Sequence, residues 1–256
     1  MKIEYYVVDP SKNITALVTT PIDNADKKEI AKAIMINSPD IEQVGFLSEA
    51  DGKNTLIMSG NEFCGNALMS AATVVYYLKC LKGEASVIIS FQGFGDYEVK
   101  VKKEDNAYFC TSVIDGAKDI GEITFLDNGK EYTFPAFSVR GITHIIADSS
   151  LKPETAANLI KDVAKDINDA AVGIMIFDKN GNIVTPIVYV KDVDTVCFEN
   201  SCASGTIALC YMNGSENGED YVFRGGIIHA KNQTDGVCLM EKIYLKETTE
   251  DILYEP

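Results

Sequence analysis

Two stretches, Phe63-Cys64-Gly65-Asn66-Ala67-Leu68 and Ser201-Cys202-Ala203-Ser204-Gly205-Thr206, decide how this chain is read. Each sets a cysteine at the mouth of a Gly/Ala/Ser-rich turn that runs into an apolar stretch. Around them the chain repeats itself. Ile14-Thr15-Ala16-Leu17-Val18 recurs as Ile142-Thr143-His144-Ile145-Ile146, 128 residues on, and Val44-Gly45-Phe46-Leu47 recurs as Val172-Gly173-Ile174-Met175 at the same offset. Comparable helical stretches, 27–36 and 154–167, lie between. The cysteine motifs follow at an offset of 138 (202 − 64), the extra length falling in the strand-rich region 181–196. Four features in one order predict a duplication. A period this long is no solenoid and predicts two similar domains facing each other.

Stretches 3–8, 14–19, 44–47, 55–58, 86–91, 97–101 and 107–113 are rich in Val, Ile, Phe and Tyr and read as strands. Asp51-Gly52-Lys53-Asn54 and Asp127-Asn128-Gly129 are turn chemistry. Residues 67–81 are apolar on nearly every side, which predicts a buried central helix rather than an amphipathic surface one. The helix after Cys202 is short, with Asn213-Gly214 as its stop. A loosely polar segment, 118–121, is the expected domain boundary.

Composition narrows the partners. The chain has 256 residues, enough to bury a proper core, and a formal net charge of -15. That balance argues against a nucleic-acid backbone or an anionic membrane surface. No stretch approaches the roughly 18 apolar residues of a membrane span, and the first ten residues, with Lys2, Glu4 and Asp9, do not read as a secretory signal. Seven cysteines without a disulfide rhythm predict a reduced, cytoplasmic protein. Two histidines and no paired CxxC spacing leave no metal site in view.

A helix that opens directly after a cysteine aims its unpaired N–H groups and positive dipole end at the thiol, which favours thiolate. The same N–H groups can hold a carboxylate, and Gly65 and Ala203 are small enough to let one approach. Two such sulfurs, one above and one below a Cα, form an acid/base pair for inversion. The other cysteines, Cys80, Cys110, Cys197, Cys210 and Cys238, read as small hydrophobes.

Phe63-Cys64-Gly65-Asn66-Ala67 resembles the Cys-Gly-Asn motif of diaminopimelate epimerase, and Ser201-Cys202-Ala203-Ser204-Gly205-Thr206 resembles its second cysteine motif. Gly141-Ile142-Thr143-His144 is similar to that family's Gly-Asn-Pro-His stretch, and Asn13 to its early substrate-contacting asparagine. The likeness spans nearly the whole chain. It implies an α+β fold of two pseudosymmetric domains, each a curved, mostly antiparallel sheet around a central helix. It implies domains at 1–118 and 119–243, with the final strand, 244–256, returning to the first. It also implies an amino-acid racemase or epimerase, monomeric or dimeric, that needs no cofactor and uses Cys64 and Cys202 as catalytic base and acid.

Diaminopimelate epimerases carry a Glu-Arg pair ahead of the second cysteine, where this chain has Glu199-Asn200. Without a guanidinium fork a buried distal carboxylate is costly. The compact motifs look more like the histidine racemases of the superfamily, with diaminopimelate epimerase and proline-type racemases as alternatives. Asn13, Glu62, Gly65, Asn66, His144, Glu199, Ala203, Ser204 and Gly205 are the expected substrate-binding residues. His144 has Ala16 as its partner at the 128-residue offset. Asn54 and Asn61 are further pocket candidates, and His229 reads as structural. A thiol redox enzyme is the reading from another class, and a non-catalytic amino-acid binding protein a third.

Overall fold

A computed structural model describes residues 1–254. The chain divides into two compact units, one built from 1–113 together with the segment from Met240 onward, the other from 114–239. The polar segment 118–121 is therefore not a linker. It lies inside a strand, β8 (Ala117–Asp127), that pairs antiparallel along β9 (Lys130–Val139), with an irregularity between Asp119 and Glu122. Backbone pairing outweighs the polar composition, and residues 118–122 are exposed on both faces of the strand.

In the first unit β1 (Lys2–Pro10) turns back on β2 (Thr15–Val18), and the helix α1 (Lys27–Asn37) crosses over to β3 (Gln43–Ala50), parallel to β2. β4 (Lys53–Met58) returns antiparallel to β3. The helix α2 (Gly65–Leu78) then carries the chain to β5 (Glu84–Phe91), parallel to β4, and β6 (Gly95–Glu104) and β7 (Ala107–Ile114) follow antiparallel. The C-terminal end of β16 (Gly236–Leu245) and the strand β17 (Glu250–Leu253) pair with β1. Residues 255 and 256 of the strand expected to return here lie outside the described residues.

The second unit repeats this order. β9 turns into β10 (Ile142–Ala147), and α3 (Pro153–Val163), ending in a 3-10 turn, crosses to β11 (Ala171–Asp178), parallel to β10. β12 (Ile183–Val190) returns antiparallel, and the extra strand β13 (Thr195–Phe198) takes up the length that separates the two cysteine offsets. The helix α4 (Ala203–Asn213) leads to β14 (Glu219–Val222), parallel to β12, and β15 (Ile227–Gln233). Asn128 and Gly129, both at positive φ (48° and 82°), close the β8–β9 hairpin as an Asn-Gly pair does best.

Each unit has two layers of core. α1 covers Ala16, Val18, Val44 and Phe46, and α3 covers Ile145, Ala147, Val172 and Ile174, from the corresponding strands. The opposite strand faces, at odd positions of β2 and β3, are left for α2. Only its two C-terminal residues escape burial, which explains its apolar character on all sides. α4 is buried from Ala203 to Cys210 and stops where Gly214 adopts a left-handed conformation (φ 62°).

Strand register corrects one sequence pairing. Leu17 lies opposite Gly45 in the β2–β3 ladder, and His144 lies opposite Gly173 in the β10–β11 ladder. With Gly45 and Gly173 equivalent, the counterpart of His144 is Leu17, not Ala16. A step of one residue along a strand turns a side chain to the other face. His144 therefore stands on the α4 side of its sheet, away from the layer that α3 covers.

Candidate active site

Cys64 and Cys202 are the N-caps of α2 and α4, with nearly identical extended backbones (φ −140°, ψ 112° and φ −143°, ψ 104°). Each Sγ accepts the amide N–H three residues on, Ala67 N at 3.4 Å and Gly205 N at 3.4 Å. A sulfur thus fills the place that Ser or Asp takes in ordinary caps, because the apolar run behind it fixes where the helix starts. Gly65, Asn66, Ala203, Ser204 and Gly205, all expected to bind substrate, form the first turns and are buried. Gly205 also makes room for Met175, whose Sδ would collide with any Cβ there.

The surroundings of the two sulfurs differ. Cys64 is half-buried, and its thiol donates to Gln43 Oε1 at 3.0 Å. Asn13, buried in the turn before β2, joins the same network through Gln43. Gln43, Glu42 and Thr15 went unnoticed in the sequence. Their signal was a polar pair, Glu42-Gln43, set at the mouth of an apolar strand.

Cys202 is buried, with Ser204 Oγ 3.5 Å away. Burial first, and then the negative charge of Glu199, push its thiol well above the ordinary range, more than the Ser204 and Gly205 hydrogen bonds pull it down. The expectation that a helix N-terminus makes this cysteine a ready thiolate is reversed here. Desolvation beside a carboxylate outweighs the dipole.

His144 is fully buried, with neither ring nitrogen hydrogen-bonded among the described residues. Desolvation pulls it from 6.5 down to about 3, so it is a neutral imidazole. Its ring rests on Gly173, where a Cβ would come within 2.5 Å of Nδ1. Glu62, just ahead of Cys64, has a buried carboxyl oxygen. Asn54 donates to Ile88 O (3.0 Å), a tie between β4 and β5, and His229 Nδ1 lies 2.7 Å from Asp220 Oδ1 at the edge of β15.

The architecture is shared with solved structures of low sequence identity. A predicted epimerase of Pseudomonas aeruginosa superposes with a TM-score of 0.75 at 12% identity, covering 99% of this chain and 100% of that one. A hydroxyproline epimerase of Agrobacterium vitis gives 0.66 at 12% identity, covering 99% and 91%. The fold is that of the racemase and epimerase superfamily whose members work without a cofactor. Residues 2–246 match the family described as histidine racemase CntK N-terminal domain, and the chain belongs to that family. A histidine racemase of Fusobacterium nucleatum is 31% identical over 231 residues, covering 82% of this chain and 80% of that protein. The protein is a racemase, an isomerase acting on a chiral centre. No helix among the described residues is long and apolar enough to cross a membrane.

Proposed function

We propose that this racemase inverts the Cα of an amino acid, histidine above all, with Cys64 and Cys202 as its acid/base pair in a reducing cytoplasm. The observation that carries the reading is the matched pair of N-cap cysteines, each with the same backbone and the same amide contact. In each turnover one thiolate takes the Cα proton and becomes a thiol. The other thiol gives its proton to the opposite face of the carbanion and becomes a thiolate, so the roles exchange and the proton count is unchanged.

The α-proton of an amino acid is very weakly acidic, so the carboxylate must be stabilised as it gains enediolate character. Backbone N–H groups at the starts of α2 and α4, including those of Gly65, Asn66, Ala203, Ser204 and Gly205, are the donors for that charge. A sulfur that is protonated at rest must release its proton to solvent water before it serves as base, and the positive charge of the arriving substrate ammonium favours the thiolate left behind. Glu62 and Glu199, one ahead of each cysteine motif, are the carboxylates to receive that ammonium and a cationic side chain. Asn13 and His144 complete the substrate contacts, His144 as a neutral hydrogen-bonding group. The names of the relatives support histidine, as does Asn200 where diaminopimelate epimerases carry arginine.

The test is incubation of the reduced protein, without added cofactor, with single L-amino acids and diaminopimelate in heavy water. Inversion of histidine with one deuterium at Cα is the expected result. Exclusive inversion of diaminopimelate overturns the substrate assignment, and absence of Cα exchange with every substrate overturns the two-base scheme.

A further inference from the structure

Cys64 is held by a set of side chains that Cys202 lacks. Its thiol points at Gln43 Oε1, 3.0 Å away. Gln43 turns its Nε2 the other way, 2.5 Å from Asn13 Oδ1 and 2.8 Å from Thr15 Oγ1. The Thr15 hydroxyl hydrogen goes to the Asn13 carbonyl (3.1 Å), which leaves that oxygen to accept from Gln43. Asn13 Nδ2 donates in turn to Glu42 Oε2 at 2.8 Å.

The direction of every bond in this chain follows from its far end. An ionised carboxylate only accepts, an amide nitrogen only donates and an amide oxygen only accepts. Glu42 therefore draws Asn13 Nδ2 towards itself, which turns Asn13 Oδ1 towards Gln43. That oxygen, with Thr15 Oγ1, claims Gln43 Nε2, and Gln43 is left to show the sulfur its oxygen. An acceptor favours S–H, whereas a donor would favour thiolate. Turning the Gln43 amide over would set its oxygen against two other oxygens.

We propose that Glu42, Asn13 and Gln43 form a one-way hydrogen-bond relay that presents an acceptor to Cys64 and so favours its thiol form over its thiolate. The proposal rests on the two-cysteine reading above and adds Glu42 and Gln43 as positioning residues that act through the sulfur. Other groups near Cys64 act in both directions. Glu62, two residues ahead, adds negative charge that also disfavours thiolate, and the Ala67 amide at the start of α2 favours it. The second unit has no equivalent relay. The ladder positions of Thr15 and Gln43 are taken there by Ile142 and Ala171, which can neither donate nor accept through a side chain.

The experiment is alkylation of the full-length protein across a pH series, with the Cys64 and Cys202 peptides followed separately by mass spectrometry. Gln43→Met removes the acceptor at similar size. Glu42→Gln lets the relay run in either direction, and Glu42→Asp keeps a carboxylate. The Cys64 midpoint should fall by about half a pH unit or more in Gln43→Met and Glu42→Gln, about a threefold gain in thiolate at a fixed pH below the midpoint. It should stay near the parent value in Glu42→Asp, and the Cys202 midpoint should not move. An unmoved or raised Cys64 midpoint in Glu42→Gln overturns the relay, even if Gln43→Met fails to fold. A residue that only supported the strand would change yield or melting without moving that midpoint. Failure of the two-cysteine reading shows separately, as undiminished racemisation by Cys64→Ala.

Discussion

The two halves of this molecule share an order of elements, a pair of core layers and a cysteine cap, yet they have exchanged polarity along one pair of strands. In the first unit the ladder beneath the helix carries polar Thr15 and Gln43, followed by apolar Leu17 over Gly45. In the second it carries apolar Ile142 and Ala171, followed by polar His144 over Gly173. Backbone and capping were kept, and the polar group moved one inward-facing position along the strand. One thiol is held by an amide relay, and the other is sealed by burial beside a carboxylate. Duplication supplied two equivalent sulfurs, and the side chains around them made an unequal pair.

That comparison breaks most visibly at the sulfurs. Cys64→Ala and Cys202→Ala should each lower kcat/KM for histidine by about 10³-fold, a loss typical of removing a general acid or base. If only one variant loses activity, two-sided proton transfer is wrong. Because enantiomers have equal free energies, kcat/KM must fall equally in both directions in every variant. Any asymmetry between the sulfurs then appears only in kcat and KM taken apart.

His144→Leu installs the residue found at the matching place in the first unit. It should lower racemisation about tenfold while raising stability by about 1–2 kcal/mol, since a buried imidazole without partners is replaced by an apolar group. Thermal melting and chiral chromatography on the same sample check both; full activity would leave His144 a core residue only. Glu199→Gln removes the charge that adds to burial in raising the Cys202 thiol. Its alkylation midpoint should move down in pH, and the Cys64 midpoint should remain.

Two glycines give a smaller contrast. A Cβ on Gly173 meets the His144 ring at 2.5 Å, whereas one on Gly45 meets Leu17 Cδ2 at 3.0 Å. Gly173→Ala should therefore cost more than Gly45→Ala, about 2–3 against about 1 kcal/mol in urea melts.

A further contrast is in pH dependence, where the units should respond with opposite signs. Burial, aided by the Asp9 charge and opposed by Ser11, pushes the Glu241 carboxyl from 4.5 up to about 8. The folded first unit then holds a proton that the unfolded chain releases, and stability falls as pH rises from 4.5 to about 8. His144 behaves conversely. With its folded value near 3 and its unfolded value at 6.5, the unfolded chain binds the extra proton, and stability falls as pH drops through that range. Glu241→Gln should flatten the alkaline limb of a melting-temperature profile, and His144→Leu the acid limb.

Much of the fold was legible because strands and helices left their periods in the chain. The repeat, the central helices, the Asn-Gly turn and the stop at Gly214 all rest on local chemistry. Glu241 was not singled out, although it shares its alternation with buried Val237, Leu239 and Ile243. The expected boundary at 118–121 falls a few residues past the division between 113 and 114, inside β8, because a polar strand looks like a linker until its pairing partner is known. The Ala16 equivalence failed for a related reason. Offsets measured along the sequence cannot tell which of two adjacent residues faces the site.

By itself the sequence determined the duplication, the two capping cysteines and the superfamily, for these depend on motifs confined to a few consecutive residues. Only the tertiary structure decided what each sulfur touches. Gln43 and Asn13 are 30 residues apart and reach each other through a parallel ladder, as His144 reaches Gly173, and Cys202 is raised by burial that no local motif encodes. The charge state of a thiol depends on solvent exclusion and on the direction of its hydrogen bonds. Both are set by strand register and packing across long sequence separations.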